Sequence, residues 1–324
     1  MTIELVVFLL LFLVLLFSVF ITDSSIVKRT MILSVIVYIL VVRFSGFHDD
    51  ILNYMQIFKY PINYNFYFLR EWFFWYTGNF IYHFSNSFEF TFFFFDFLSL
   101  FLIVKVQEEL KVPSYFILLY FLCFPSVMGF QNILRQFIAT ILLLYSLSLA
   151  YNLKKMKYLF YILSIFTHNS TGLFLPLLLI FNKKKKLNNY FKISIFIVFV
   201  LLFLGASTKS NSSHGLSLSF IYIFVLLIIS IFIYTKNKVH NSLFFEQVSI
   251  YTLYLFLLTF MLYFVIGESQ LERVAMMGIQ ISLPFVCIFI DRFYSQKVIL
   301  RVLLVLLLIS PILIFKNAFN LLVN

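Results

Sequence analysis

Long apolar runs alternate with short polar breaks along the whole chain. Twelve runs stand at about 3–22, 30–47, 66–84, 88–104, 113–130, 132–151, 158–182, 191–206, 218–235, 243–266, 276–290 and 298–316. Roughly 20 consecutive apolar residues cross a bilayer as a helix, so the pattern predicts an all-α, polytopic integral membrane protein. Two runs are unsuited to an ordinary crossing. Run 66–84 carries Arg70, Glu71, Gly78, Asn79 and His83, and run 158–182 is interrupted by His168-Asn169-Ser170-Thr171-Gly172 and then Pro176. Irregular backbone at membrane depth survives only where protein or a water-filled cavity satisfies it. Both segments are therefore expected to be broken or re-entrant and to face a cavity. No repeat or long linker divides the chain, which reads as one transmembrane domain over residues 1–324.

Charge adds orientation. Of 24 Lys and Arg residues, 17 fall in six breaks: Lys28/Arg29, Lys105/Lys111, Lys154/Lys155/Lys157, Lys183 to Lys186 with Lys192, Lys236/Lys238, and Arg292/Lys297/Arg301. Cytoplasmic loops are enriched in Lys and Arg. Placing all six breaks in the cytoplasm gives ten crossings, both termini outside, and a multi-pass protein of the bacterial inner membrane. A straight span at 158–182 would instead put Lys183 to Lys186 outside and invert all that follows. The first run has no basic residues ahead of it and no small-residue cleavage site, so it reads as a retained span.

Composition agrees: 63% of residues are hydrophobic, 11% are charged and mean hydropathy is +1.02. A soluble domain carries about 25% charged residues. The net charge of +11 sits at span ends rather than on one soluble face, which argues against a nucleic-acid partner. Cys123 and Cys287 both lie inside apolar runs, where a thiol packs as a small hydrophobe.

With that topology the unusual polar residues gather on the outer side. Arg43 closes the second run, and Gly46, His48, Asp49, Asp50 and Tyr54 follow in the largest outer loop. Glu71 opens a broken segment, and Glu268, Glu272 and Arg273 lie in the last large outer break. Asn132, Arg135, Gln136 and Ala139 share one helical face by the i, i+3, i+4 rule. His168, on a segment entering from inside, is expected near mid-membrane. Ionisable groups at membrane depth are functional candidates. Arginines grip phosphate oxygens in a planar fork and stay charged when partly desolvated. A carboxylate or histidine accepts a proton from a sugar hydroxyl. The residues alone point to a membrane protein handling a polyprenyl phosphate, with no nucleotide-binding motif and no cofactor.

Several blocks resemble the EpsG-type, Wzy-like polysaccharide polymerases. Arg43-Phe-Ser-Gly46-Phe-His-Asp-Asp50-Ile-Leu-Asn-Tyr54 looks like that family's R…G-x-D-x-x-x-Y signature, and Glu71 opens a hydrophobic segment as it does there. Phe130-Gln-Asn-Ile-Leu-Arg135-Gln136-Phe-Ile-Ala139 is similar to its R-Q-x-I-A block, Phe166-Thr-His168-Asn-Ser170 to its F-H-x-S block, and Arg273 to a late arginine. The family more often has a small residue before its aspartate than the His48-Asp49-Asp50 found here, and the Tyr54 spacing favours Asp50 as the equivalent. The resemblance implies a GT-C-like O-antigen or capsule polymerase that moves a glycan from undecaprenyl diphosphate to a lipid-linked repeat unit. It also implies metal-independent transfer alongside a flippase and a chain-length regulator. Asp50, His168 and Glu71 become candidates for the catalytic acid–base groups, and Arg135, Arg273 and Arg43 for diphosphate binding. Asn132, Gln136, Tyr54 and Asp49 are supporting candidates. A lipid-oligosaccharide flippase, an O-antigen ligase and a membrane acyltransferase are the rival readings.

The charge asymmetry makes a direct prediction. Reporter fusions after Lys186 and after Gly267 should report opposite sides of the membrane; the same side for both would sink the topology.

Overall fold

A computed structural model describes residues 2–46, 50–60, 66–181, 191, 193–195, 197, 198, 218–240, 243–265 and 268–323. Among these residues every regular element is a helix. In chain order they are α1 (Ile3–Ser18), α2 (Ser25–Ser45), α3 (Asp50–Lys59), α4 (Phe66–Arg70), α5 (Trp72–Ser85), α6 (Phe88–Leu110), α7 (Tyr115–Leu122), α8 (Phe124–Gln131), α9 (Leu134–Tyr151) and α10 (Lys157–Thr167). After a 3₁₀ turn over Asn169–Phe174 come α11 (Leu175–Ile180), α12 (Leu218–His240), α13 (Leu243–Val265), α14 (Glu268–Phe293), α15 (Lys297–Ile314) and α16 (Lys316–Val323).

Among the described residues, five stretches within α2, α9, α13, α14 and α15 are long and apolar enough to cross a membrane. Their burial sorts them into layers. The α14 stretch is 94% buried and α9 83%, whereas α2 and α15 are 33% buried. A helix that is apolar all round belongs in the middle of a bundle, and α7, with every residue from Tyr115 to Leu122 buried, also lies there. On α6 the pattern is reversed from a soluble helix. Thr91, Asp96 and Ser99 point inward, while Phe90, Phe94, Phe97 and Phe101 form an exposed stripe at i, i+4, i+7, i+11. An exposed apolar stripe of this kind suits contact with lipid.

Both segments expected to break do so. Run 66–84 divides at Glu71 (φ −126°, ψ 42°), between α4 and α5. Run 158–182 divides at His168 (φ −156°, ψ 116°) into α10, the 3₁₀ turn and α11. The freed carbonyls find partners in protein: the Tyr161 hydroxyl donates to Gly172 O at 3.0 Å and Tyr254 to Leu173 O at 2.6 Å. Two expectations need correction. Run 113–130 is not one helix but α7 and α8, parted at Cys123 (φ −67°, ψ 145°). Pro125, at the start of α8, has no N–H to donate to the Phe121 carbonyl, so one helix cannot run through. The segment after α2, read as loop, contains α3, because Ile51, Tyr54 and Phe58 bury one face of it.

The described basic breaks meet at one end of the bundle. Lys28 and Lys105 both reach Glu108 (2.9 and 2.8 Å), and Lys154 reaches Glu109 (2.6 Å). Arg301 forks onto Asp291 at 2.7 and 2.6 Å and donates to Val19 O at 3.0 Å, bringing α15 to the end of α1. The exposed lysine pairs contribute little stability, whereas Arg301 is buried; together they show which breaks share an end. Thr2 donates to Leu322 O at 2.5 Å, so the two ends of the described chain also meet. Lys183 to Lys186 lie outside the described residues.

α3 is held against α5 by a close approach. A Cβ on Gly78 would stand 2.3 Å from the Phe58 ring. Next to it, Asn79 Nδ2 donates to Phe58 O at 2.9 Å and to Tyr60 O at 3.0 Å, satisfying carbonyls at the end of α3. We predict that Gly78→Ala destabilises the protein by about 1–3 kcal/mol through overpacking. It should be seen as a lower thermal midpoint in detergent that Phe58→Leu partly restores. An unchanged midpoint would contradict the packing of α3 on α5.

Candidate active site

The site is built where helices break. At the α4–α5 break, the Glu71 side chain turns inward and is 2% exposed. Its Oε1 lies 3.0 Å from His168 Nδ1 and accepts the Asn169 backbone N–H at 3.3 Å. Its Oε2 lies 2.5 Å from Arg135 Nη1. The Arg135 guanidinium also sits 5.1 Å over the Trp75 ring. One carboxylate therefore joins three places remote in sequence, each at a helix end or break. A buried charge is tolerated only when so paired.

Glu71 and His168 lie in breaks between helices, outside the membrane-spanning stretches, and their protonation follows from their contacts. Burial works to raise the Glu71 carboxyl, but the His168 hydrogen bond and the Arg135 charge outweigh it and hold the group below its ordinary range. Burial pushes His168 down; the Glu71 hydrogen bond opposes this, and the charges of Arg135 and Arg273 reinforce it. The resulting pair is an ionised Glu71 and a neutral His168. An ionised carboxylate only accepts, so Nδ1 carries the imidazole proton and Nε2 keeps its lone pair.

A cavity of about 210 Å³ opens beside this pair. Among its lining residues are Asp50, Asn53 and Tyr54 of α3, Trp75 of α5, Arg135 and Gln136 of α9, His168, and Arg273 of α14. Gln136 Nε2 donates to Arg273 O at 2.9 Å, fixing α14 against α9. The Asp50 backbone N–H donates to Asn132 Oδ1 at 3.4 Å, tying α3 to the α8–α9 break. Tyr54 packs edge-on to Phe74 and Trp75, with centroids 5.2 and 5.6 Å apart.

Of the sequence candidates, the cavity gathers Asp50, Tyr54, Arg135, Gln136, His168 and Arg273. Glu71 lies behind it, and Asn132 reaches it through Asp50. Asp49 lies outside the described residues. Arg43 requires a revision: it does not line the cavity. Its Nε and Nη2 fork onto Asp96 at 2.6 and 2.9 Å, and Nη2 also donates to Phe130 O at 3.2 Å. The Phe130 ring lies 4.3 Å away, and both charged side chains are essentially fully buried. Phe130 is in the last turn of α8, where carbonyls lose their helical partners. Arg43 thus supports the break that precedes Arg135.

Three contributors were not singled out by sequence: Asp96, Trp75 and Asn53. Asp96 carried a usable signal, as a lone carboxylate inside a phenylalanine-rich run. Trp75 and Asn53 carried none. Among the described residues no three His, Cys, Asp or Glu side chains are grouped to hold a metal, and both cysteines are free and buried.

Comparison with known proteins gives a match to the EpsG family model over residues 27–323. No curated protein and no solved structure matches.

The buried pair makes its own prediction. Asp96→Asn leaves an uncompensated guanidinium and should cost about 3–5 kcal/mol, whereas replacing both partners (Arg43→Met with Asp96→Leu) should recover most of that. Thermal denaturation in detergent reads both; a double variant no better than the single would remove the pairing account.

Proposed function

The chain belongs to the EpsG family, and from that premise we propose that it is a polysaccharide polymerase. It transfers a growing glycan from undecaprenyl diphosphate to the terminal sugar of the next lipid-linked repeat unit. In this reading the chain is a single ten-crossing, GT-C-like domain of the bacterial inner membrane. The cavity opens at the end opposite the basic breaks, toward the outside. A flippase would supply the repeat units and a regulator would set chain length.

The observation that carries the reading is one cavity lined by both Arg135 and Arg273 and by a histidine oriented by a buried carboxylate. The arginines bind the diphosphate oxygens in planar forks and stabilise the charge that grows as the diphosphate leaves. Nε2 of neutral His168 takes the proton of the acceptor hydroxyl as its oxygen bonds to the anomeric carbon. The bond from that carbon to the diphosphate oxygen breaks, and its electron pair leaves with the diphosphate. Glu71 is a positioning residue: it fixes the His168 tautomer, balances the imidazolium that forms, and holds Arg135. The arginines supply the positive charge that a divalent ion would otherwise provide. Asp49 and Asp50 are adjacent, and neighbouring side chains in a regular helix or strand point apart.

In liposomes containing lipid-linked repeat units, Arg135→Ala should abolish polymer at unchanged protein level. Arg135→Lys should recover only part, because a point charge does not replace the fork. His168→Gln should slow elongation about 10²–10⁴-fold. Because His168 is shifted downward, the base is neutral above its depressed value and is lost as pH falls through it. The acid limb of the rate profile should lie below the ordinary histidine value of about 6.5, and should be missing in His168→Gln. Elongation should persist in excess EDTA. Full activity in Arg135→Ala would remove that residue from the site, and magnesium-restored loss in EDTA would return Asp49 and Asp50 to metal binding. Many repeats per chain, rather than transfer to a different lipid, separates a polymerase from a ligase.

A further inference from the structure

We propose that one face of α3 is the subsite that reads the hydroxyl groups of the acceptor sugar, with Asn53 and Asp50 as its specificity-determining pair. The inference rests on the polymerase reading of this cavity and adds which wall takes which part of the substrates. Asp50, Asn53, Tyr54 and Ile57 all line the cavity, and their spacing i, i+3, i+4, i+7 makes them a single stripe of the helix. Elsewhere on α3, Ile51 and Phe58 are buried, with Phe58 packed among Phe74, Trp75 and Phe92. These buried side chains flank the stripe on one side, with Tyr54 at the join, and this edge packing holds the stripe toward the cavity.

The polar groups on the other walls are partly committed. Arg135 is paired with Glu71, the Gln136 amide nitrogen with Arg273 O, and His168 Nδ1 with Glu71. On α3, Asp50 uses its backbone N–H on Asn132. Among the described residues, no hydrogen bond or ion pair engages the side chain of Asp50 or Asn53. A carboxylate accepts two hydroxyl protons, and an amide one turn away both donates and accepts. Together they match neighbouring sugar hydroxyls. The same carboxylate repels phosphate, so the diphosphate falls to Arg135 and Arg273 and the polyhydroxyl partner to α3. A site built to hydrogen-bond a hydroxyl strongly rejects an analogue that lacks it, so α3 is where the choice of acceptor is made.

The test uses two probes on the purified full-length protein: farnesyl diphosphate, and a panel of methyl hexopyranosides with their single-deoxy analogues. Binding of each is followed by saturation-transfer NMR. Asn53→Ala should weaken the best-bound glycoside about fivefold and Asp50→Asn about tenfold or more, in line with the loss of a neutral and a charged hydrogen bond. Both should leave farnesyl diphosphate binding unchanged, which also shows that the variants are folded. Arg273→Ala should do the reverse. Asn53→Ala should also erase the discrimination against one deoxy position, and Asn53→Gln should keep part of it. Equal loss of both probes in the α3 variants, glycoside binding unaffected by them, or no glycoside binding to the unaltered protein would overturn the subsite. If farnesyl diphosphate fails to bind while the glycoside pattern holds, the polymerase reading falls and the hydroxyl subsite stands.

Discussion

A carboxylate buried to 2% exposure stays ionised in an apolar bundle only if cations and N–H donors surround it. Glu71 meets that condition with Arg135, the His168 ring and the Asn169 backbone. These partners come from two parts of the chain remote from Glu71, so the pairing requirement brings the α4–α5 break, the start of α9 and the end of α10 to one place. The cavity lies beside that junction. The constraint also sets the protonation pattern, because the Arg135 charge that keeps Glu71 ionised helps keep His168 neutral.

Irregular backbone is the means by which a helical membrane protein brings such groups together. A continuous helix satisfies its own N–H and C=O groups and has none to spare. Interruptions at Glu71, Cys123, Asn132–Ile133 and His168 free those groups, and protein satisfies some of them. Tyr161 and Tyr254 accommodate the 3₁₀ turn, and Arg43 donates to the end of α8. The Arg43–Asp96 pair and the Glu71 cluster therefore have different tasks. The first is closed on itself and gives the α8–α9 break its shape. The second borders a cavity, to which it presents Arg135 and the His168 ring.

The two ends of the bundle divide the charges by kind. At one end, Lys28, Lys105 and Lys154 pair with Glu108 and Glu109 at the surface, where screening makes each pair weak. Toward the other, the described charges of Arg43, Glu71 and Asp96 are buried and much more strongly felt.

Composition and the lengths of apolar runs determined the class by themselves, because a chain this apolar has too few charges to cover itself in water. The breaks at Glu71 and His168 were legible for the same reason: charged and hydrogen-bonding residues inside an apolar run need a partner. Arg135 and Gln136 were legible on one helix, but the helical spacing that grouped Asn132 with them did not hold: Asn132 lies in the α8–α9 break, before α9 begins. What sequence left open was pairing. Arg43 and Arg135 looked alike as arginines near helix ends. Only the tertiary structure set one against Asp96 and the other against Glu71, over separations of 53 and 64 positions. α3 was hidden within a polar loop because its helix is short, and short helices are fixed by what they pack on. Its neighbour is α5, where the missing side chain of Gly78 makes room for Phe58. Local pattern decides where a membrane chain is apolar and where it must break; which buried charge meets which is decided by packing, since any unpaired choice is too costly to persist.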